Sequence, residues 1–283
     1  MYTVINQQGN LSLGKACPVL DLSRCGYYRW LKQEPVHLAH MDIRSEMQNI
    51  AMTFPSYGYR RMTKELQRRF FDVNHKLVLR LMGEDNLLCV RKKLFKPITT
   101  QSNHNFPVYP NLAKDLEVTD LNQLWVADIT YIRLLNEFIY LAVIIDVFSR
   151  KCIGWALDRN IDAQLTLNAL SMALANRRGV DISGLVHHSD QGVQYASYGY
   201  VDLLKERGIM ISMSRKGNPY DNAFAESFMK TLKYEEVYMK EYEGFNDAHA
   251  NIEKFIEDAY NQKRLHSGIG YRTPDDVEKG GIL

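Results

Sequence analysis

Three acidic residues, Asp128, Asp190 and Glu226, have the residue types and local contexts of a divalent-metal site. Asp128 interrupts the run Leu124–Arg133, whose β-branched and aromatic residues predict a strand. Asp190 follows a short apolar run, Glu226 lies a few residues into a helical pattern, and 35 residues separate these two acids. Phosphodiester transfer needs an activated nucleophilic oxygen and a stabilised leaving oxygen, and two hard cations about 3.5–4 Å apart supply both. Hard cations prefer carboxylate oxygens, so the three acids predict a paired Mg²⁺ site in which Asp128 bridges the ions.

Each acid also has an ordinary structural interpretation. Asp190 could be a strand-end acid or a helix cap, and Glu226 could be a solvated helix position. Asp128 is harder to explain in this way, because a carboxylate in an apolar strand costs free energy unless it is paired, hydrogen-bonded or metal-bound. Asp146 likewise ends an apolar strand. It could be a fourth metal ligand, but we favour a structural role in which it pairs with Arg150.

The helix predicted around Glu226 carries two lysines on the same face. Glu226, Lys230 and Lys233 recur at positions i, i+4 and i+7, which share one side of a helix. This pattern predicts that the lysines contact DNA beside the metal site. The alternative is an ordinary salt-bridged helix surface.

Polar residues adjoin the second and third acids. His187 and His188 shortly precede the second acid, and we expect them to orient the acidic site by hydrogen bonding rather than to bind metal. The segment 214–222 is rich in turn-forming residues and is expected to be mobile without substrate. Its last residues, Asp221 or Asn222, could cap the following helix.

A helix-turn-helix is predicted in the N-terminal part of the chain. Residues 59–70 and 75–82 have helical patterns separated by a short break, and Asn74 is placed to cap the second helix. The second helix of this motif enters the major groove with its N-terminal residues forward. The predicted DNA-facing residues on it are His75, Lys76 and Arg80, while Leu77, Leu81 and either Leu79 or Val78 pack inward. Phosphate contacts, which position without reading sequence, are predicted for Arg60, Arg61, Lys64, Arg68 and Arg69. A solvated basic helix face is the alternative.

Charge is divided unevenly along the chain. The net charge of the 283 residues is only +2, but residues 1–110 carry +8 and residues 111–283 carry −6. A basic first part and an acidic second part fit a nucleic-acid-reading region that precedes a metal-binding one. We therefore divide the chain into a helical, helix-turn-helix-like segment (1–35), a helix-turn-helix DNA-binding domain (36–96), a linker (97–118) and a catalytic core with a C-terminal helix (119–283).

The core shows strands first and alternating helices and strands afterwards. Strands are predicted at 124–133, 138–147 and 151–158, and short polar turns between them predict an antiparallel meander. A helix at 162–178, a strand at 184–189, a helix at 198–207, a strand at 209–214 and the helix of the third acid follow. A final helix, 245–263, has a core-facing apolar stripe.

In order and at their distances, five segments of this core closely resemble the second-frame (OrfB-type) product of insertion-sequence-three family transposases. They are LWVADITY at 124–131, YLAVIIDVFSR at 140–150, HHSDQGVQY at 187–195, GNPYDNAFAESF at 217–228, and YNQKRLH at 260–266 with Thr273-Pro274. These proteins belong to the retroviral-integrase-like Asp-Asp-Glu superfamily. The resemblance covers almost the whole chain and implies an α/β fold: a ribonuclease-H-like core with a mixed five-stranded sheet and flanking helices, preceded by a small all-α helix-turn-helix region.

The resemblance also implies a function. Asp128, Asp190 and Glu226 match the catalytic and metal-binding set, which takes two Mg²⁺ ions with Mn²⁺ as a substitute. Asn222, Arg264 and His266 match motif positions expected to steady the active site, although Arg264 and His266 could instead form a helix cap and polar turn. The implied activity is cleavage and joining of DNA strands at insertion-sequence ends. A Mg²⁺-dependent nuclease without strand transfer, or a DNA-binding regulator of transposition, is the alternative.

The implied partners are double-stranded DNA, both terminal repeats and target, and further copies of the chain assembled on it. Family members are commonly fused to, or assisted by, a first-frame protein with its own DNA-binding and coiled-coil segments, and a self-sufficient form is also compatible with the sequence.

Composition argues against several other classes of protein. The four cysteines contain no Cys-x-x-Cys pair, so they do not complete a zinc site with the N-terminal histidines. The longest apolar run, 138–145, is much shorter than the roughly 20 residues of a membrane helix. We expect a cytoplasmic protein, associated with the nucleoid when bound to DNA, with no membrane partner.

Overall fold

The computed structural model describes residues 13–20, 22–31, 40–88, 107–215 and 222–280. The predicted mobile segment 214–222 lies largely outside these residues, as do Cys89, Asp221 and the first part of the predicted linker.

Two short helices, α1 (Leu13–Val19) and α2 (Arg24–Leu31), begin the described chain. Pro18 lies inside α1 and Gly26 inside α2, so neither residue ends its helix. Ser23 caps α2, because its Oγ accepts a hydrogen bond from the Gly26 amide at 2.8 Å.

A three-helix unit follows: α3 (Met41–Thr53), α4 (Tyr59–Arg68) and α5 (His75–Glu84). The Asn74 side chain accepts a hydrogen bond from the Leu77 amide at 2.9 Å, so the predicted cap of α5 is confirmed. Val78 is fully buried while Leu79 is 43% exposed, so Val78 is the one of these two residues that packs inward. The apolar side chains of the three helices form one separate core.

The sheet has five strands: β1 (Leu124–Arg133), β2 (Phe138–Asp146), β3 (Cys152–Asp158), β4 (Val186–Ser189) and β5 (Met210–Met213). Their order is β3-β2-β1-β4-β5. The first three form the predicted antiparallel meander, whereas β4 and β5 run parallel to β1. This mixed sheet places β1 at the centre.

Helices cover both faces of the sheet. Along β1, Trp125 and Ala127 pack towards α6 (Ala163–Asn176), α7 (Val193–Ala196) and α8 (Tyr198–Glu206). Leu124 and Val126 point to the other face, which is covered by α9 (Ala223–Glu235), α10 (Phe245–Lys254) and its π-helical continuation Phe255–Lys263. Helix α6 approaches β3 so closely that a Cβ on Gly154 would lie 2.3 Å from the Ala169 carbonyl oxygen.

The three-helix unit contacts the end of the core. After the π-helical continuation, the chain passes through a 3₁₀ turn, Ser267–Ile269, into α11 (Pro274–Glu278). Leu265 enters the core of the three-helix unit, and its amide donates a hydrogen bond to the Tyr57 hydroxyl at 2.8 Å. No helix in the described ranges is long and apolar enough to cross a membrane.

Candidate active site

Asp128 and Asp190 are brought to the same level by two neighbouring parallel strands. Strand β1 pairs with β4 in a register that joins Leu124 to Val186 and Val126 to His188. Asp128 on β1 and Asp190, the first residue after β4, each follow the last of these pairs by two residues. Because side chains alternate between the faces of a sheet, Asp128 shares the face of Val126, which is the face covered by α9.

The electrostatics of Asp128 show that the three acids are neighbours. Burial raises the pKa of Asp128 to about 7, and the charges of Asp190 and Glu226 act in the same direction. The Ile129 amide, which donates to Asp128 Oδ1 at 2.9 Å, and the ammonium group of Lys233 oppose this rise. The site is therefore a cluster of like charges around a partly buried carboxyl group.

Asp190 lies just beyond the end of β4, where the chain turns into α7. Its Oδ1 accepts a hydrogen bond from the Gly192 amide at 2.9 Å. A Cβ on Gly192 would stand 2.9 Å from that oxygen and 3.1 Å from Gln194 Oε1. The absence of a side chain at residue 192 thus leaves room for the Asp190 carboxylate.

Helix α9 is attached to the central strand beside Asp128. Asn222 precedes the helix, but its side chain does not cap it, contrary to one of the two predicted caps. Its Nδ2 donates to the Ala127 carbonyl oxygen at 2.9 Å instead. Glu226 is exposed in the first turn of α9, where the helix dipole favours a negative charge.

The lysines of α9 differ in their surroundings. Lys230 is exposed, whereas Lys233 is partly buried with its Nζ 4.5 Å from the centre of the Tyr131 ring. Lys233 is also one of the charges that act on Asp128. Within the described ranges, no three His, Cys, Asp or Glu side chains are already gathered closely enough to hold a metal ion.

His187 and His188 are both buried, and their hydrogen bonds connect β4 to its neighbours. His187 Nε2 lies 2.9 Å from the Tyr200 hydroxyl, and His188 Nδ1 lies 2.8 Å from Ser212 Oγ. Burial lowers the pKa of His187 to about 3, so this ring is neutral. Tyr200 in turn packs edge-on against Tyr195. We expect His187 to support the acids indirectly, through these two tyrosines.

Asp146 is a structural acid. It is fully buried and accepts hydrogen bonds from the Asn122, Phe148 and Ser149 amides at 2.8–3.0 Å. The predicted pairing with Arg150 is wrong, because the guanidinium that approaches Asp146, at 4.0 Å, belongs to Arg177.

The predicted DNA-facing side chains divide into exposed and engaged groups. Those exposed on α4 and α5 are Arg60, Lys64, Arg68, His75, Lys76 and Arg80, of which Arg68 pairs with Asp276 at 3.2 Å and Arg80 with Glu84 at 3.8 Å. Arg69 is instead held by Glu46 and Glu65, and Arg61 turns inward beside Tyr57. These two arginines are therefore poorly placed as phosphate contacts on the outer face of the helices.

The C-terminal motif residues connect the end of the last helix to strand β3 and to helix α9. Asn261 exchanges hydrogen bonds with the backbone N–H and C=O of Cys152, each at 3.0 Å. Arg264 binds both carboxylate oxygens of Glu235, the last residue of α9, at 2.8 Å. Its Nη1 also lies 3.4 Å from the ring of His266. Sequence reasoning missed Glu235 and Gly192, since neither residue stands out before its three-dimensional neighbour is known.

Comparison with known proteins agrees with this architecture. Two integrase core domain families match residues 119–219 and 207–274, and an HTH-like domain family matches residues 39–94. An "Insertion element IS600 uncharacterized 31 kDa protein" of Shigella sonnei is 40% identical over 262 residues, covering 91% of this chain and 95% of that protein. "Transposase InsF for insertion sequence IS3A" of Escherichia coli K12 is 33% identical over 281 residues, covering 97% and 96% respectively. Among solved structures, the HTLV-2 integrase catalytic core in complex with magnesium matches with a TM-score of 0.43 at 17% identity, covering 55% of this chain and 95% of that one.

Proposed function

Because this chain belongs to the insertion-sequence-three (IS3) family of transposases, we propose that Asp128, Asp190 and Glu226 are the carboxylates with which it cuts and joins DNA. The chain is a DNA transposase with an integrase-like catalytic core. The observation that supports this assignment is that the other two acids both act on the charge of Asp128: Asp190 follows the end of β4, the neighbour of β1, and Glu226 acts from α9.

The donor set fits divalent metal ions. All three side chains offer hard carboxylate oxygens, and their mutual repulsion at Asp128 is the kind of strain that a bound cation relieves. Asp128, Asp190 and Glu226 would together hold two Mg²⁺ ions, and Mn²⁺ would substitute. When bound, the ions activate the attacking oxygen and stabilise the leaving oxygen.

The reaction consists of two displacements at phosphorus. In the first, water attacks the phosphodiester at the element's end and the P–O3′ bond breaks, which leaves a free 3′-hydroxyl on the element. In the second, this hydroxyl attacks another phosphodiester, a new P–O bond forms and a second 3′-hydroxyl leaves. Lys230 and Lys233 are placed on α9 to contact phosphates beside the acids, and no covalent enzyme intermediate is needed.

The N-terminal helices supply DNA recognition in this proposal. His75, Lys76 and Arg80 present the exposed start of α5 to the major groove, and Arg60 and Lys64 contact the backbone. The functional divisions are those of the sequence prediction: residues 36–96 bind DNA, 97–118 link, and 119–283 catalyse. A homo-oligomer, with or without a first-frame protein, brings the two terminal repeats of one element together.

The direct test incubates purified protein with Mg²⁺ and labelled DNA that carries the flanking element ends. Wild-type protein should cut at the element's end and yield a joined product, whereas Glu226→Gln should bind the same DNA and do neither. Glu206→Gln, at an exposed position at the end of α8, is the matched control and should be active. A Glu226→Gln protein with normal cleavage would refute the three-acid assignment, and cleavage without joining on a supplied 3′-hydroxyl end would indicate a nuclease.

A second test concerns the space beside Asp190. The backbone of Gly192 is extended, with φ −69° and ψ 145°, and therefore tolerates alanine. The added Cβ would nevertheless displace the Asp190 carboxylate. Since a shift of about 1 Å at a reacting centre can cost about 10²-fold in rate, Gly192→Ala should slow cleavage by roughly 10–100-fold.

The control for this substitution is Gly199→Ala on α8, where a Cβ would make an ordinary 3.6 Å contact with Leu167. It should keep full activity. Both proteins should show the thermal unfolding of wild type. Equal cleavage rates for the two variants would show that Gly192 does not position Asp190.

A further inference from the structure

A cavity lies against a face of α9 other than the one that carries Glu226 and Lys230. It has a volume of about 340 Å³. Ser227 and Thr231 line it from the helix, and the Thr231 hydroxyl donates a hydrogen bond to the Ser227 carbonyl oxygen at 3.0 Å. Its charged and titratable lining comes from three different parts of the chain: Arg61, Arg150, Arg264 and His266. No carboxylate lines this cavity within the described part of the chain.

Two of the three arginines lack a compensating charge. Arg264 is neutralised by Glu235, but neither Arg61 nor Arg150 forms an ion pair with any described residue. Arg61 Nε is buried without a hydrogen-bond partner in the described structure. Burial lowers the pKa of both side chains, and for Arg61 the charge of Arg264 acts in the same direction. An arginine nevertheless stays protonated in proteins, so two positive charges without an ion-pair partner in the described structure face this space, and Glu235 acts on Arg61 only at longer range.

His266 and the surrounding groups do not change this balance. Burial and the charges of Arg264, Arg61 and Arg150 hold the pKa of His266 well below its ordinary value, so its ring is neutral. Asp146 acts on Arg150 only at longer range and is already bonded to backbone amides. Tyr260 contributes an aromatic wall with a phenol held neutral by burial, which raises its pKa.

The backbone of Arg150 is a second, independent observation. Its φ is +66°, in the left-handed region that glycine and asparagine occupy at lower cost than arginine. The side chain is fixed in the cavity wall by the Phe224 ring, 4.0 Å from its guanidinium carbon. An arginine held in a strained backbone conformation, without an ionic partner, indicates that the side chain itself is used.

We propose that this cavity binds a phosphate group between Arg61 and Arg150, with the Ser227 hydroxyl as an additional hydrogen-bond donor. Guanidinium groups bind phosphate oxygens through paired N–H donors. In a DNA-handling protein the expected source is a backbone phosphodiester, and inorganic phosphate presents the same oxygens. The site goes beyond the proposed function, because it uses none of the three acids and would hold a phosphate away from the reacting one.

The test replaces Arg150 by asparagine, which tolerates the left-handed backbone and removes the charge. Element-end DNA binding is measured as a function of salt for wild type and Arg150→Asn, in the presence of EDTA. Thermal unfolding is measured with inorganic phosphate and with chloride at equal ionic strength. Loss of one phosphate contact should reduce the slope of log K against log salt by about one unit. Phosphate should raise the melting temperature of wild type but not that of Arg150→Asn.

Arg159→Asn is the matched control. Arg159 also stacks on a phenylalanine, Phe245 at 4.5 Å, but it is exposed and paired with Glu137. This variant should match wild type in both measurements. Arg61→Gln provides a second variant on the opposite wall, should Arg150→Asn fail to fold.

The outcomes separate the possible sources of phosphate. A reduced salt slope in both cavity variants identifies a DNA phosphodiester, while loss of phosphate stabilisation with an unchanged slope identifies a free phosphate. Wild-type behaviour of both variants in both measurements overturns the proposal. Glu226→Gln should retain both responses, so failure of the phosphate site and failure of the three-acid assignment are distinguishable.

Discussion

Asp128→Asn should abolish DNA cleavage and, at the same time, stabilise the metal-free protein. Removal of this carboxylate, which we propose binds metal, is expected to reduce the cleavage rate by at least about 10²–10³-fold, the scale seen when a single group that stabilises the transition state is lost. Stability should rise because burial and two neighbouring acids disfavour the ionised form of Asp128 and raise its pKa to about 7. Asparagine keeps the shape of the side chain without the charge.

The stability difference depends on pH in a defined direction. A carboxyl group whose pKa is about 7 in the folded protein, against an ordinary value of 3.8, binds its proton more tightly when folded. Its unfavourable contribution is therefore absent near pH 4, grows as pH rises and is complete above about pH 7. A three-unit shift corresponds to about 4 kcal/mol. Because Asp128 is partly exposed, solvent screening reduces our expectation to roughly 2 kcal/mol at pH 8.

Urea denaturation in EDTA at pH 5 and pH 8 measures this effect. Asp128→Asn should exceed wild type in unfolding free energy mainly at pH 8, and excess Mg²⁺ should reduce the gap by stabilising folded wild-type protein. Asp202→Asn, at an exposed position on α8, should alter neither cleavage nor stability. Equal stabilities of wild type and Asp128→Asn at pH 8 would contradict the repulsion inferred among the three acids.

The elements of the core follow closely from local sequence pattern. Strand β1 has its predicted bounds, and β2 and β3 differ by one residue at one end, because polar turns interrupt the runs of β-branched and aromatic residues. Helix α6 also begins where predicted, since Asp162 accepts a hydrogen bond from the Leu165 amide. These features depend on neighbours within a few residues along the chain, and such neighbours are visible in the sequence.

Partners that are distant in sequence could not be predicted in this way. The sequence favours Arg150 as the partner of Asp146, yet the guanidinium that approaches Asp146 is that of Arg177, the residue after α6. Arg61 was assigned to the outer face of α4, but its side chain reaches the cavity beside Arg264. In both examples the folded arrangement of separate helices and strands, rather than a local pattern, determines the contact.

The geometry of the site also combines features that a local sequence pattern predicts with contacts that it does not predict. The residue types and spacing of the three acids predict their common purpose, but the level placement of Asp128 and Asp190 depends on the parallel register of β1 and β4. The roles of Gly192 and Asn222 are also absent from any short pattern, because each is defined by one contact in the folded chain. The π-helical form of residues 255–263 likewise replaced an expected α-helix.

Arg264→Ala should be among the most destabilising single substitutions in the core. The Arg264 side chain is 4% exposed and binds both oxygens of Glu235, which is 11% exposed. Burial opposes the charge of Arg264, but its bonds to Glu235 outweigh that effect and raise the pKa of the guanidinium. Removal of one partner leaves a buried, uncompensated charge, which typically costs about 3–5 kcal/mol. Urea denaturation at pH 7 measures the loss.

A comparison of ion pairs tests the reason for this loss. Lys240 pairs with Glu236 at 2.9 Å but is 43% exposed, so Lys240→Ala should cost less than about 1 kcal/mol. The double variant Arg264→Met, Glu235→Leu should regain most of the lost stability, because it leaves neither charge unpaired. A cost below about 1 kcal/mol for Arg264→Ala would show that the pair is not buried in solution. Because Glu235 ends the helix that carries Glu226, and Leu265 enters the core of the three-helix unit, loss of this pair should loosen both the candidate active site and the contact between the two regions.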